Sequence, residues 1–267
     1  MPKKLNRKFL NVGSCIYCGE NNGPLTREHI IPRGLGGNIS PNGLVDALVL
    51  KNASCQKCQE ITKKIEDKCL TKMMDTGRAK LGLKRKDRAG STAKGFLRYE
   101  GGLEIIKELG WSKIPGVVTI PHFYDAGAVT NEQTVGVPKC DYKVIVVSPA
   151  SAKVSDDVKG VGVEVSADSI TFGQMLAKIA LGLAVARYGV GGFVPFVRDF
   201  ILSSPEQCGY WVGGYAGKEI DLEKTKNLNE TSVGTYKSEA GEIILVKIRF
   251  FAEFGGPMNY VVVGKLN

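Results

Sequence analysis

Two pairs of cysteines and one Glu-His dipeptide gather the side chains most capable of chemistry into the first 60 residues. Cys15-Ile-Tyr-Cys18 and Cys55-Gln-Lys-Cys58 are C-x-x-C pairs separated by 36 residues. One such turn offers two thiolates from a short loop, and two of them complete the closed tetrahedron that zinc takes in structural sites. Gly19, directly after the first pair, suits the tight turn. The pattern predicts a structural Zn²⁺ on Cys15, Cys18, Cys55 and Cys58, fastening a segment too small to hold a core alone. Between the pairs runs Leu25-Thr-Arg-Glu28-His29-Ile-Ile-Pro-Arg-Gly-Leu-Gly-Gly37, which contains one of only two histidines in the chain. A carboxylate can hold a divalent cation, and a neutral imidazole can accept a proton near neutral pH. The insert between the cysteine pairs is therefore expected to carry the chemistry.

The elements that position these residues can be read from local patterns. Residues 24–32 favour an extended run, because Ile31 precedes Pro32 and Ile30 precedes another branched residue. Gly34, Gly36 and Gly37 mark a turn. Residues 44–53 read as a strand returning to the second cysteine pair. Beyond Cys58, Ile61, Ile65, Cys69 and Met73 recur at helical spacing, with Gly77 as a stop. The order is knuckle, strand, glycine turn, strand, knuckle, helix.

In this order the segment from Cys15 to Glu66 resembles the zinc-containing branch of the HNH endonucleases, which have the ββα-metal fold. The resemblance rests on Glu-His-Ile-Ile-Pro and Gly-Gly lying between two C-x-x-C pairs. It implies that His29 is the general base of phosphodiester hydrolysis and that Glu28 stands where a carboxylate ligates a catalytic cation, Mg²⁺ or Mn²⁺. Neighbouring strand residues point to opposite faces, so a local bend is needed to bring both to one phosphate; otherwise Glu28 only orients the site. The family's second ligand at the start of the helix falls on Gln59, a weak donor, with Glu60, Thr62 and Glu66 as alternatives. Its middle asparagine falls on Asn52, or on Asn42 or Asn38, where it would hold the histidine-bearing loop. The implied substrate is nucleic acid, with DNA preferred. The alternative is a zinc-stapled nucleic-acid binder that does not cleave, which the weak Gln59 favours. His122, in a proline-aromatic context, is assigned no role.

Charge and composition set the wider frame. The formal net charge is +9, and residues 1–95 hold 19 Lys/Arg against 8 Asp/Glu while the remainder holds 17 against 19. The excess, partly in Arg78–Lys94, suits a polyanionic partner bound through the basic N-terminal third. Seven cysteines without a secretory leader point to a reducing, intracellular and cytoplasmic setting. The most apolar run, residues 175–189, is interrupted by Lys178 and Arg187, and is expected to be too short and too charged to span a membrane. A linker at residues 87–93 divides a 1–90 HNH module from a 91–267 α+β domain whose role is left open between recognition, dimerisation and regulation. In that second part GVVTI and YKVIVVS read as strands and residues 171–189 as a buried helix capped by Thr171 and stopped by Gly189. A shorter helix follows near residues 195–204, and the end reads as a hairpin around Gly255-Gly256-Pro257.

Overall fold

The computed structural model describes residues 11–36, 48–83, 92–102, 104–150, 153–218, 225–238 and 241–267. Within them the chain is a mixed α+β protein. Strand β1 (Leu25–His29) pairs antiparallel with β2 (Val49–Cys55), which runs straight into α1 (Gln56–Lys72). This is the ββα order expected from the sequence. The α1 face of Cys58, Thr62, Ile65, Cys69 and Leu70 is buried, as the helical spacing predicts.

Gly77 does not end α1. The helix stops at Lys72, and Gly77 lies inside α2 (Asp75–Lys80). A Cβ there would come within 2.3 Å of the Val118 side chain. The glycine answers a close approach between α2 and the strand beneath it, not a left-handed cap.

The middle of the chain forms two small sheets. β3 (Thr92–Tyr99), β4 (Glu104–Gly110) and β7 (Val158–Val163) make a three-stranded antiparallel sheet in the order β4-β3-β7. β5 (Gly116–Phe123), the short helix α3 (Gly127–Thr130) and β6 (Cys140–Ser148) intervene, with β5 and β6 paired as an antiparallel ribbon.

Helix α4 (Ser169–Tyr188) is the spine of the molecule. Its N-cap is Asp168, which accepts a hydrogen bond from the Thr171 amide at 2.9 Å; Thr171 sits one turn inside rather than at the cap. Gly189, at φ +76°, ends it as expected. By length and hydropathy α4 could cross a membrane, contrary to the expectation from its two charges, but 83% of its apolar window is buried inside this fold.

Against α4 lies a five-stranded antiparallel sheet of β8 (Phe193–Pro195), β9 (Val212–Gly214), β10 (Asn229–Ser238), β11 (Gly241–Phe250) and β12 (Met258–Leu266). Between its first strands come α5 (Arg198–Leu202) and α6 (Cys208–Trp211). The terminal β11–β12 pair is the hairpin read from the sequence, and β10 extends it.

One apolar core runs from Cys15 and Ile16 through α1 and α4 to Val261 and Val263. The boundary drawn at residue 90 lies outside the described residues, and this core crosses it. Polar contacts cross it as well: Arg198 donates to the Ile16 carbonyl at 2.8 Å, Asn229 to that of Leu35 at 2.5 Å, and Lys68 pairs with Asp168 at 2.5 Å. The segment that carries the two cysteine pairs is thus packed as one flank of the larger fold.

Candidate functional site

The four cysteines converge. Cys55 is the N-cap of α1 and Cys58 lies in its first turn, while Cys15 and Cys18 sit in a turn closed by the Gly19 amide on the Cys15 carbonyl at 2.8 Å. Gly19 takes φ +80°, the left-handed conformation that the tight turn needs. All four Sγ atoms lie within 4.8 Å of one another, with Cys18 and Cys55 3.7 Å apart. Tetrahedral Zn–S bonds of about 2.3 Å set sulfurs roughly 3.8 Å apart, so the spacing fits zinc. Burial pushes the Cys58 thiol above its ordinary range, as does the nearby Cys15. Four thiolates would not share this volume without a cation to neutralise them.

The β1–β2 ladder breaks its register between Thr26 and Glu28, where Arg27 faces the stretch Lys51–Ala53. Asn52, in that bulge, has φ +49°. Its side chain donates to Asn11 at 3.0 Å and its carbonyl accepts from Gly13, so among the described residues it holds the segment entering the first knuckle. Asn38 and Asn42 lie outside the described residues.

The bulge does not turn Glu28 and His29 to one side. His29 is half-buried, and its Nε2 accepts a hydrogen bond from Arg33 Nε at 3.0 Å. Burial, then the charge of Arg33, lowers its pKa below the ordinary 6.5, so the imidazole is neutral at pH 7. Glu28 points inward and is 5% exposed. There it meets Lys178 of α4, whose Nζ lies 2.6 Å from Glu28 Oε1 and 2.6 Å from Glu66 Oε1. The same ammonium donates to the main-chain carbonyl of His29 and lies 3.4 Å from that of Ile30. Burial opposes the lysine's charge, but the two carboxylates outweigh it and hold its pKa above the usual lysine value. Tyr17, fully buried beside this group, has its own pKa raised by burial and by Glu28 and Glu66.

Two features of α4 make this encounter possible. Lys178 and Gly182 are one turn apart on the same helix face. A Cβ at Gly182 would sit 3.1 Å from Ile30 Cγ1, so the glycine lets α4 press against the residue after His29.

The remaining candidates fall elsewhere. Gln59 and Glu60 are exposed on α1, Glu60 accepting from Gln56 at 3.1 Å, while Thr62 is buried and donates to the Gln59 carbonyl. Of the four alternatives for a second ligand, Glu66 is the one brought beside Glu28. The pair expected to hold a catalytic Mg²⁺ or Mn²⁺, Glu28 and Gln59, does not fit that ion: Glu28 is buried against an ammonium, and Gln59 faces solvent. Arg78, counted among the basic residues, is buried and donates to the Gly34 and Leu70 carbonyls at 2.6 and 2.9 Å, which takes it off the surface. His122 is in β5 with its Nε2 buried. Lys178 itself escaped the sequence reading; its only signal was a charge inside the most apolar stretch.

The family model described as HNH endonuclease matches residues 15–75, from the first knuckle cysteine to the start of α2. No curated protein and no solved structure matches the chain. Residues 15–75 thus match an HNH module and hold the four-cysteine cluster, and they pack against a longer α+β body.

Proposed function

We propose that the protein is an endonuclease that hydrolyses phosphodiester bonds in DNA, with His29 as its general base. The observation that carries this reading is the half-buried imidazole at the end of β1, whose Nε2 accepts from Arg33 and so carries no proton, within the segment that matches the HNH family. Arg33 adjoins the imidazole. In the proposed reaction an incoming phosphate takes over Arg33, which frees Nε2 to accept a proton from the attacking water. The water oxygen bonds to phosphorus as the ester oxygen departs with the electron pair and takes up a proton from solvent. The zinc holds the frame and takes no part in these transfers.

A second reading is a zinc-stapled DNA binder that does not cleave. The specific observation in its favour is Lys178, which occupies the carboxylate where the family would place a catalytic cation. Supercoiled plasmid separates the two. Zinc-loaded protein is incubated with it in Mg²⁺, in Mn²⁺ and in EDTA, beside a His29→Ala variant. Cutting that falls by about 10²–10⁴-fold in the variant, with DNA affinity retained, supports the nuclease and its base. Retarded but intact plasmid with both proteins supports the binder.

A further inference from the structure

The Glu28–Glu66 pair has the chemistry of a hard-cation site. Two carboxylates and two main-chain carbonyls, of His29 and Ile30, surround one point with oxygen alone. Mg²⁺, Mn²⁺ and Ca²⁺ take such donors. In this protein the point is filled by the protein's own ammonium.

Lys178 cannot easily step aside. It stands in the middle of a 20-residue helix whose neighbouring residues, Ala177 and Ile179, are fully buried, and it is itself 1% exposed. Its stem reaches the cage through the core, so withdrawing Nζ strands a charge among apolar side chains while leaving two carboxylates facing each other.

We infer that Lys178 is a built-in cation that replaces the divalent ion of the HNH module and excludes it from Glu28 and Glu66. The inference rests on the HNH reading only for the expectation that an ion belongs at this position. It makes Glu28 a positioning residue: Lys178 ties Glu28 and the carbonyl of His29 to α4, and so fixes the strand end from which the imidazole projects. It also leaves the four thiols as the metal site of this segment and the two carboxylates without one.

The test is Mn²⁺ binding to the zinc-saturated full chain, followed by electron paramagnetic resonance of free Mn²⁺ with no nucleic acid present. Wild type is expected to show no saturable site that Glu66→Gln removes. Lys178→Met, which keeps the stem and deletes the charge, is expected to gain one site per chain. Opening the cage in wild type first requires breaking a buried ion pair, so the gain in apparent affinity is roughly 100-fold or more. Adding Glu66→Gln to Lys178→Met should abolish the new site. A wild-type Mn²⁺ site weakened by Glu66→Gln overturns the inference, and so does a folded Lys178→Met protein that gains no site. If Lys178→Met fails to fold, the comparison of wild type with Glu66→Gln decides the matter. The readout is independent of cleavage, so failure of the nuclease reading leaves it standing, and its own failure leaves the nuclease test untouched.

Discussion

Replacing Lys178 by methionine should destabilise the protein far more than the loss of an ordinary ion pair. An exposed pair contributes about 0–1 kcal/mol, whereas removing one partner of a buried pair costs about 3–5 kcal/mol because the other charge is left uncompensated. Lys178 and Glu28 belong to the second class, with side chains 1% and 6% exposed; Glu66, at 23%, is partly screened by solvent. Methionine conserves most of the lysine volume, so the cavity contribution is small. The expected loss is therefore toward the lower part of the range, about 3–4 kcal/mol, or roughly 10 °C in midpoint for a chain of this size. Urea or thermal unfolding at pH 7, with zinc saturating and other divalent ions absent, measures it. The effect has a sign in pH. The variant lacks the ammonium that opposes the burial-raised pKa of Glu66, so its folded state binds more protons than the unfolded one. Stability of the variant relative to wild type must then rise as pH falls toward 4.5, the ordinary glutamate value. Adding Glu28→Gln and Glu66→Gln should recover most of the loss by removing the stranded charges. A cost below about 1 kcal/mol, or no recovery on neutralising both acids, would refute the claim of a closed buried cage.

Three further expectations follow from single contacts. Cys58→Ser should lower bound zinc from one per chain to near none by elemental analysis, and it should loosen the knuckle turn that Cys55 and Cys58 share with Cys15 and Cys18. Arg33→Ala should raise the His29 pKa toward 6.5, because Arg33 is the principal charge holding it down; an NMR titration of the imidazole that shows no change removes that contact from the site. Asn52 occupies a left-handed bulge at φ +49°, so Asn52→Gly should be tolerated while Asn52→Ala loses about 1–2 kcal/mol, read from paired unfolding curves.

The parts of the site that were legible in the sequence are those whose partners recur at fixed short spacing. Cys15 with Cys18, and Cys55 with Cys58, announce their shared role because each pair is one turn of chain. The strand–strand–helix order followed from Pro32, the glycine turn and the spacing of Ile65, Cys69 and Met73. Glycines were harder. Gly189 ends a helix, whereas Gly77 sits inside one because Val118 crowds it, and only the tertiary neighbour tells the two uses apart. Thr171 was one turn from the true cap, since Asp168 offers the better acceptor to the amide at the third helical position. The three-stranded sheet of β3, β4 and β7 was missed because its strands carry no continuous apolar run, and β4 is exposed at all but one of its residues. Lys178 was missed for a different reason. A lysine in an apolar helix looks like an interruption until its counter-charges are known, and these lie more than 100 positions earlier, on a strand and on another helix.

That separation bears on how the module's chemistry must be measured. The HNH residues were legible as a local unit, which invites work on the excised segment. Yet Ile16, Tyr17, Ile30 and Leu35 bury into the core they share with α4, and the charge facing Glu28 and Glu66 comes from α4 as well. A fragment ending near residue 83 would expose those apolar side chains, and it would present Glu28 and Glu66 to solvent with no ammonium between them. Such a fragment has the donors for a divalent ion and nothing to exclude it, so Mn²⁺ binding or metal-dependent cutting by the fragment would describe a site that the full chain has closed. The cation preference of this module is a property of the contact between Lys178 and the strand that ends in His29, and it can be assayed only where that contact exists.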